Sequence, residues 1–268
     1  MPTGACCSTR IFGTAPRVSS STCREWARPS AVLRRSFEAM RTTGQRRIVI
    51  VTGSDTGVGK TVLTSWLTRW LRAAGVNAVA LKPLCSGGRE DAVALHAANG
   101  GALTLDEVNP WHLRAALAPV LAARREGRGV RLEEVIAHVR SVARRFEAVL
   151  VEGAGGLLSP LGEGVDTRNW IAELAAIPVI VVPNRLGAVN QARLVLEALP
   201  KAARARAMVV LMSQPRKDVS AQSNAKLLRE FVPETDVVHL PWVGRLDAPE
   251  RNRSVSAALS LLLKGLHV

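Results

Sequence analysis

Short apolar runs alternate with amphipathic stretches along the chain from Arg47 onward. The apolar runs are rich in β-branched residues and predict six buried strands, at 47–52, 77–82, 148–153, 177–183, 207–212 and 236–241. Apolar residues at helical spacing predict helices at 60–75, 90–100, 131–146, 167–176, 190–200 and 254–266. Strands that alternate with crossover helices form parallel sheets. The pattern therefore predicts an α/β fold, a doubly wound, mostly parallel sheet with helices on both faces.

The first 45 residues differ in composition from the rest of the chain. Nine arginines and two glutamates fall within residues 1–47, a net charge of +7 out of the +14 of the whole sequence. This part is rich in Ser, Arg and small residues and has little apolar periodicity, which favours exclusion from a packed core. It is interpreted either as a targeting segment or as sequence upstream of a start at Met40. We therefore expect an extension over residues 1–45 and one domain over residues 46–268.

Composition also excludes several classes of protein. No apolar run approaches the roughly 20 residues that a membrane-spanning helix needs. Three of the four cysteines lie in the first 23 residues and none forms a C-x-x-C pair, which argues against a disulfide framework or a zinc site and favours a reducing, cytoplasmic location. The basic charge is not interleaved with aromatic residues, so nucleic acid is not an expected partner.

The stretch IVIVTGSDTGVGKTV, Ile48 to Val62, carries the clearest chemical signal. A buried strand, a glycine-rich loop and a helix start aim several backbone N–H groups at a phosphate. The first glycine stands one residue earlier than in the plain G-x4-G-K-[ST] pattern, but the order of elements is that of a P-loop. We expect Lys60 against the β- and γ-phosphates and the Thr61 hydroxyl near Mg²⁺. The predicted nucleotide-binding residues are Gly53, Asp55, Thr56, Gly57, Val58, Gly59, Lys60 and Thr61.

Two later strand ends add to this site. Lys82 closes the second strand, where a cation is costly unless it meets an anion or water, and Ser86 lies in the small-residue loop that follows. Asp91 is interpreted either as a first-turn or capping acid of the next helix or as a metal ligand. Glu152 closes the third strand, where P-loop enzymes place a carboxylate that associates with Mg²⁺. The glycines around Gly155 permit close backbone approach to a ligand.

The successive motifs resemble those of one enzyme family. TGSDTGVGKT, KPLCSG, NPWHL, AARREGRGV, VEGAGGLLSPL and LGAVNQARL follow one another between Ile48 and Leu199 and are similar to the motifs of dethiobiotin synthetase. The resemblance implies a homodimeric ligase of biotin biosynthesis. Such an enzyme converts 7,8-diaminononanoate (7,8-diaminopelargonate), CO₂ and MgATP to dethiobiotin, ADP and phosphate.

The resemblance also implies a role for each matching residue. Thr56, Lys60, Lys82 and Ser86 are expected around the substrate carbamate and the transferred phosphoryl group. The implied Mg²⁺ ligands are Thr61, Asp91 and Glu152. Gly155 and Asn190 are expected to meet the substrate, with Asn190 supplied by the partner subunit.

The sequence departs from the family pattern in four places. The loop from Ser86 to Asp91 is short, Gly57 replaces a common acidic residue, and Gln191 stands where the family usually has His. The residues after the fifth strand, SQP, lack the Asn that reads adenine in the family, which leaves the preferred nucleotide base open.

Two alternatives to this function share the P-loop. One is a partitioning-type or regulatory ATPase, whose nucleotide switches a binding surface. The other is a different ATP-dependent amidoligase with an altered substrate. Lys82 and Ser86 favour an enzyme over a switch, because a switch protein does not need a second strand-end lysine aimed at a substrate.

Overall fold

A computed structural model of the chain describes residues 47–216, 218–244 and 252–266, so the expected extension over residues 1–45 lies outside the described part. Six strands form one sheet in the order β2-β5-β1-β6-β7-β8, and every neighbouring pair is parallel. These strands are β1 Arg47–Gly53, β2 Ala78–Leu81, β5 Ala148–Glu152, β6 Ile177–Pro183, β7 Met208–Met212 and β8 Asp236–Leu240. The predicted doubly wound α/β class is confirmed, because later strands lie on both sides of β1: β5 and β2 on one side, and β6, β7 and β8 on the other.

Two further strands form a small parallel pair beside the main sheet. They are β3 Leu84–Ser86 and β4 Trp111–Leu113, with Cys85 opposite His112. Each is only three residues long, too short for alternation of apolar and polar residues to indicate a strand. The sequence did not predict this pair.

Helices connect the strands and cover both faces of the main sheet. They are α1 Lys60–Ala73, α2 Glu90–Ala98, α3 Leu105–Val108, α4 Pro119–Arg125, α5 Leu132–Ala143, α6 Thr167–Glu173, α7 Ala188–Ala198, α8 Lys201–Arg204, the 3₁₀ helix Val219–Gln222, α9 Asn224–Phe231 and α10 Arg253–Gly265. All six predicted helices are present; the short α3, α4, α8 and α9 are additional. Within the described ranges, no helix is long and apolar enough to cross a membrane.

One predicted helix begins earlier than its sequence pattern indicated. Helix α7 starts at Ala188, two residues before the predicted Asn190, and Gly187 caps it at φ 90°. A glycine adopts this left-handed conformation without the steric cost that a Cβ atom brings. The turn therefore ends at Gly187, and Asn190 is the third residue of the helix.

The sheet separates two hydrophobic cores because successive side chains of a strand point to opposite faces. Val49 and Val51 of β1 pack with α1 and α10 on one face, where Trp66 and Trp70 are buried. Ile50 packs on the other face in the larger core, which includes α2, α5, α6, α7 and α9. The five strand residues 148–152 are buried throughout, as expected for a central parallel strand.

The register of the central strands brings three chain segments to one edge. Val51 pairs with Glu152, Leu81 pairs with Val151, and Gly53 pairs with Val181. Lys82 and Glu152 therefore end their strands at the same level, beside the loop that follows β1. This edge, at the carboxyl ends of the strands, is where doubly wound sheets bind ligands.

Candidate active site

The loop between β1 and α1 has the tight backbone that a phosphate-binding loop needs. A Cβ atom added at Gly53 would lie 2.7 Å from Val58 Cγ2, too close for a side chain without movement, and 3.0 Å from the carbonyl oxygen of Val181. Gly59 caps α1 at φ 102°. The helix therefore begins with free backbone N–H groups and its positive dipole end at the loop.

Lys60, the first residue of α1, is buried and turned back onto the loop. Its Nζ donates a hydrogen bond to the carbonyl oxygen of Asp55 at 2.7 Å, and the residue is 5% exposed. Burial, together with the nearby charge of Lys82, lowers the pKa of Lys60 to about 8. A negative group in the cleft would restore the ordinary preference for the charged form, so the position suits an anion.

Lys82 lies among oxygen atoms at the end of β2. Its Nζ is 2.6 Å from Glu152 Oε1, 3.1 Å from Asp91 Oδ2 and 3.2 Å from the carbonyl oxygen of Gly153. Burial alone would lower the pKa of Lys82, but the two carboxylates outweigh it and raise that pKa above its ordinary value. Burial likewise opposes ionisation of Asp91, yet Lys82 lowers the pKa of that carboxyl group. Lys82 and Asp91 are therefore both charged at neutral pH.

Thr61 joins the same cluster from the start of α1. Its hydroxyl donates to Glu152 Oε1 at 2.8 Å, the oxygen that Lys82 also contacts. Asp91 is the second residue of α2 and is not its N-cap, which is Arg89. Asp91 is thus a first-turn acid that also reaches Lys82. The two interpretations of its role are compatible.

A buried asparagine fixes the backbone on either side of this strand end. Asn109 Nδ2 donates to the carbonyl oxygen of Lys82 at 2.8 Å and to that of Pro83 at 3.2 Å, and its Oδ1 accepts from Arg89 Nε at 2.9 Å. Asn109 is 1% exposed. Sequence reasoning missed this residue, although it belongs to the NPWHL motif. Its role depends on tertiary folding, because Asn109 contacts Lys82, which lies 27 residues earlier in the chain.

These side chains line a single cleft of about 750 Å³. Its charged end holds Lys60, Thr61, Lys82, Asp91 and Glu152. The remaining lining is mostly apolar and was not predicted as part of the site; this apolar wall contains Leu84, Cys85, Ala116, Leu117, Ala118, Pro119, Ala154 and Pro160. A cleft that combines charged and apolar lining suits an elongated substrate with polar reacting groups and a methylene chain.

Most predicted site residues border this cleft. Thr56, Gly57, Gly59, Ser86 and Gly155 line it together with the charged cluster. Gly155 has φ 71°, and the hydroxyl of Ser159 accepts a hydrogen bond from the backbone N–H of Gly156 at 2.8 Å. Ser159 was not predicted, and it also lines the cleft.

Some predicted residues do not line the cleft. Gly53, Asp55 and Val58 shape the phosphate loop without bordering the cavity itself, as the contacts of Gly53 and Asp55 above illustrate. Asn190 is exposed on α7 and does not line the cleft either. The neighbouring Gln191 approaches the loop, with its Oε1 3.4 Å from Ser54 Oγ.

The oxygen atoms of the charged end fit a magnesium ion. Glu152 Oε2 is buried and has no hydrogen-bond partner among the described residues, so it is available to a metal or to a metal-bound water. Mg²⁺ is usually held by one or two carboxylates together with substrate phosphates, and not by a full cage of side chains. The described residues contain no group of three or more His, Cys, Asp or Glu side chains that could hold a metal ion.

The parallel sheet, the glycine-rich loop at a helix start and the lysine that follows it define a P-loop nucleotide-binding protein. The family model described as an AAA domain (AAA_26) matches residues 47–250. ATP-dependent dethiobiotin synthetase BioD of Anaeromyxobacter dehalogenans strain 2CP-C is 41% identical over 223 residues, which cover 80% of this chain and 97% of that protein. BioD of Akkermansia muciniphila is 36% identical over 186 residues, 69% of this chain and 87% of that protein. The chain belongs to the ATP-dependent dethiobiotin synthetase family.

Solved structures support the fold in the same way. The MinD cell division protein of Aquifex aeolicus superimposes with a TM-score of 0.53 at 14% identity, covering 81% of this chain and 96% of that protein. At this level of identity the likeness concerns the fold alone. It does not favour a partitioning-type function over a biosynthetic one.

Proposed function

We propose that the chain is an ATP-dependent dethiobiotin synthetase, which joins CO₂ to 7,8-diaminononanoate and closes the ureido ring of dethiobiotin with release of ADP and phosphate. One observation carries the proposal. Two buried lysines, Lys60 at the start of α1 and Lys82 directly after β2, face one cleft together with the carboxylates of Asp91 and Glu152. Family membership supplies the identity of the substrate.

The chemistry suits these residues because negative charge builds up on oxygen at each stage. One amine of the substrate captures CO₂ as a carbamate, the carbamate oxygen attacks the γ-phosphorus of ATP, and the second amine then displaces phosphate. Lys60 and the loop amides would hold the nucleotide phosphates. Lys82, Thr56 and Ser86 would hold the carbamate and the transferred phosphoryl group. Positioning and electrostatic stabilisation suffice, and no side chain acts as a nucleophile.

Magnesium is part of the proposal. Thr61, Asp91 and Glu152 would hold the ion, with Glu152 Oε2 as the buried oxygen that otherwise has no partner among the described residues. When bound, Mg²⁺ neutralises phosphate charge and orients the γ-phosphoryl group. The contact of Asp91 with Lys82 at 3.1 Å supports a place for this carboxylate in the cluster, despite the short loop before it.

The proposal includes a homodimer in which Asn190 reaches the substrate of the partner subunit. Asn190 is exposed in the first turn of α7 and does not line the cleft of its own chain. Leu186 and Leu194, just before and after it in the chain, are 76% and 62% exposed. A large apolar residue on either side of a polar helix start favours contact with another surface.

Subunit mixing tests the shared site. Lys60→Ala and Asn190→Ala should each be inactive alone, and a mixed dimer would contain one site with both residues intact. Random exchange of equal amounts makes about half of the dimers mixed, so recovery of about a quarter of the normal activity is expected for a closed twofold dimer. Absence of recovery after verified exchange would place Asn190 outside the partner's site.

The catalytic proposal is tested by product formation. The protein is incubated with diaminononanoate, bicarbonate and MgATP. Dethiobiotin is measured by mass spectrometry, and released phosphate by a phosphate assay. We expect both products in equal amounts. A Lys82→Ala variant should form neither, while the exposed Lys201→Ala should match the unmodified protein. Phosphate release that is independent of diaminononanoate, with no dethiobiotin, would favour the partitioning-type ATPase instead.

A further inference from the structure

The ammonium group of Lys82 uses all of its hydrogen-bonding capacity within the protein. A lysine ammonium has three N–H donors, and the acceptors here are Glu152 Oε1, Asp91 Oδ2 and the carbonyl oxygen of Gly153. The side chain of Lys82 is 5% exposed and that of Glu152 is 0% exposed. The positive charge of Lys82 is therefore surrounded by the oxygen atoms of Glu152, Asp91 and Gly153.

Those oxygen atoms belong to the residues that would hold the metal. Thr61 and Lys82 both donate to Glu152 Oε1, at 2.8 and 2.6 Å, and Lys82 also contacts Asp91. Magnesium needs oxygen ligands at about 2.0–2.1 Å in near-octahedral geometry. An ammonium group bound to Glu152 Oε1 and a divalent cation bound to Oε2 of the same carboxylate would repel each other strongly at this range.

We infer that the Lys82 ammonium and the divalent cation compete for Glu152 and Asp91. Without nucleotide, the ammonium supplies to these carboxylates the positive charge that the cation would supply. This inference rests on the metal ligands named in the proposed function. The cation alone then binds weakly. It binds well only when nucleotide phosphates offer the Lys82 ammonium a new partner. Lys82 thereby couples metal binding to nucleotide binding.

Lys60 provides the matched comparison. It is also buried and lies near the same cluster, but its Nζ donates to the backbone carbonyl of Asp55, and it forms no ion pair with a carboxylate among the described residues. Removing Lys60 therefore removes a nearby positive charge but frees no carboxylate oxygen. Removing Lys82 removes a positive charge and also frees the carboxylate oxygens that it contacts.

The test uses Mn²⁺ as the probe and measures its affinity for the protein in the absence of nucleotide. The electron paramagnetic resonance signal of free Mn²⁺ reports how much of the ion is bound. Lys82→Met should bind Mn²⁺ about tenfold more tightly than the unmodified protein, within the 5–150-fold range typical of coupled sites. Lys60→Met should change the affinity much less. Adding ADP should strengthen Mn²⁺ binding to the unmodified protein far more than to Lys82→Met. Lys82→Gln, which can still donate to Glu152, serves if Lys82→Met does not fold.

Three results would overturn the inference. The first is equal Mn²⁺ affinity in Lys82→Met and the unmodified protein, and the second is an equal change of Mn²⁺ affinity in Lys60→Met and Lys82→Met. The third, which needs no variant, is Mn²⁺ binding to the unmodified protein that ADP does not strengthen. Glu152→Gln should weaken Mn²⁺ binding in every case, which locates the ion. Dethiobiotin formation by the unmodified protein tests the proposed function separately, so either idea can fail without the other.

Discussion

The charged end of the cleft and its apolar wall are built in different ways. The charged end combines Lys60 and Thr61, which directly follow the phosphate loop, with Lys82 and Glu152 at the ends of adjacent strands and Asp91 at the start of α2. Most of the wall comes from Leu84 and Cys85 and from residues 116–119, which are far apart in the chain. The short pair β3 and β4 brings them together, with Leu84 opposite Trp111 and Ser86 opposite Leu113.

This difference predicts different consequences of substitution. In the proposed reaction, the cations and carboxylates of the charged end lie where charge develops, so changes there should act mainly on the rate of the reaction. The wall contributes shape through packing and backbone hydrogen bonds, so changes there should act mainly on stability and on the Michaelis constant. The following substitutions test that division, from the largest expected effect to the smallest.

Lys60→Ala should have the largest effect. We expect kcat to fall by about 10²-fold or more, because a cation facing the phosphates is lost. The melting temperature should stay close to that of the unmodified protein, since the buried ammonium contributes a single hydrogen bond to a backbone carbonyl. Lys201→Ala, at an exposed lysine, is the control and should change neither quantity. A normal kcat in folded Lys60→Ala would remove Lys60 from the catalytic site.

Asn109→Ala should mainly reduce stability. The change leaves the buried carbonyl oxygens of Lys82 and Pro83 without this donor, which costs about 1–3 kcal/mol in the free energy of unfolding. Denaturant unfolding measures the loss. The exposed Asn77, whose side chain also donates to a carbonyl, is the matched control, and Asn77→Ala should cost much less. Equal losses in the two variants would show that burial of Asn109 is not what matters.

Ser159→Ala should have a smaller effect at the junction of the two regions. The hydroxyl of Ser159 accepts from the N–H of Gly156, and its loss should cost about 0.5–1.5 kcal/mol in stability. The Michaelis constant for diaminononanoate should rise modestly, because the glycine loop that borders the cleft loses a restraint. A large fall in kcat with an unchanged Michaelis constant would instead give Ser159 a direct role in the reaction.

The sequence predicted the main sheet and the charged end well for the same physical reason. Strand periodicity, the glycine-rich loop and a lysine before Thr61 are local signals that a few neighbouring residues carry. Lys82 and Glu152 were found because residues that end buried parallel strands meet at one edge of the sheet.

The apolar wall could not be predicted in this way. Strands β3 and β4 are three residues long and are defined by their pairing with each other, not by periodicity. Leu117 and Pro119 line the cleft only because that pairing folds their loop back over it. Asn109 acts through a contact 27 residues away in the chain. Each of these features depends on tertiary contacts that a local pattern does not record.

Cys85, on the unpredicted strand β3, gives the last and smallest test of the wall. Burial raises the pKa of its thiol to about 11, from an ordinary value of 9.0, and Asp91 and Glu152 add to the shift while Lys82 opposes it. The thiolate is the reactive form, so at pH 8 the folded protein should show almost no alkylation of Cys85 by iodoacetamide. Mass spectrometry of the Cys85 peptide separates this thiol from Cys6, Cys7 and Cys23.

The same shift predicts a sign for the dependence of stability on pH. A thiol whose pKa is higher in the folded state than in the unfolded state stabilises the fold below pH 9, and this contribution is lost as the pH rises towards 11. The stability difference between the unmodified protein and Cys85→Ala should therefore shrink over that range. Rapid alkylation of Cys85 in the folded protein at pH 8, at the rate seen in guanidinium, would contradict the burial of β3. The wall would then have to be more open than the cleft described above.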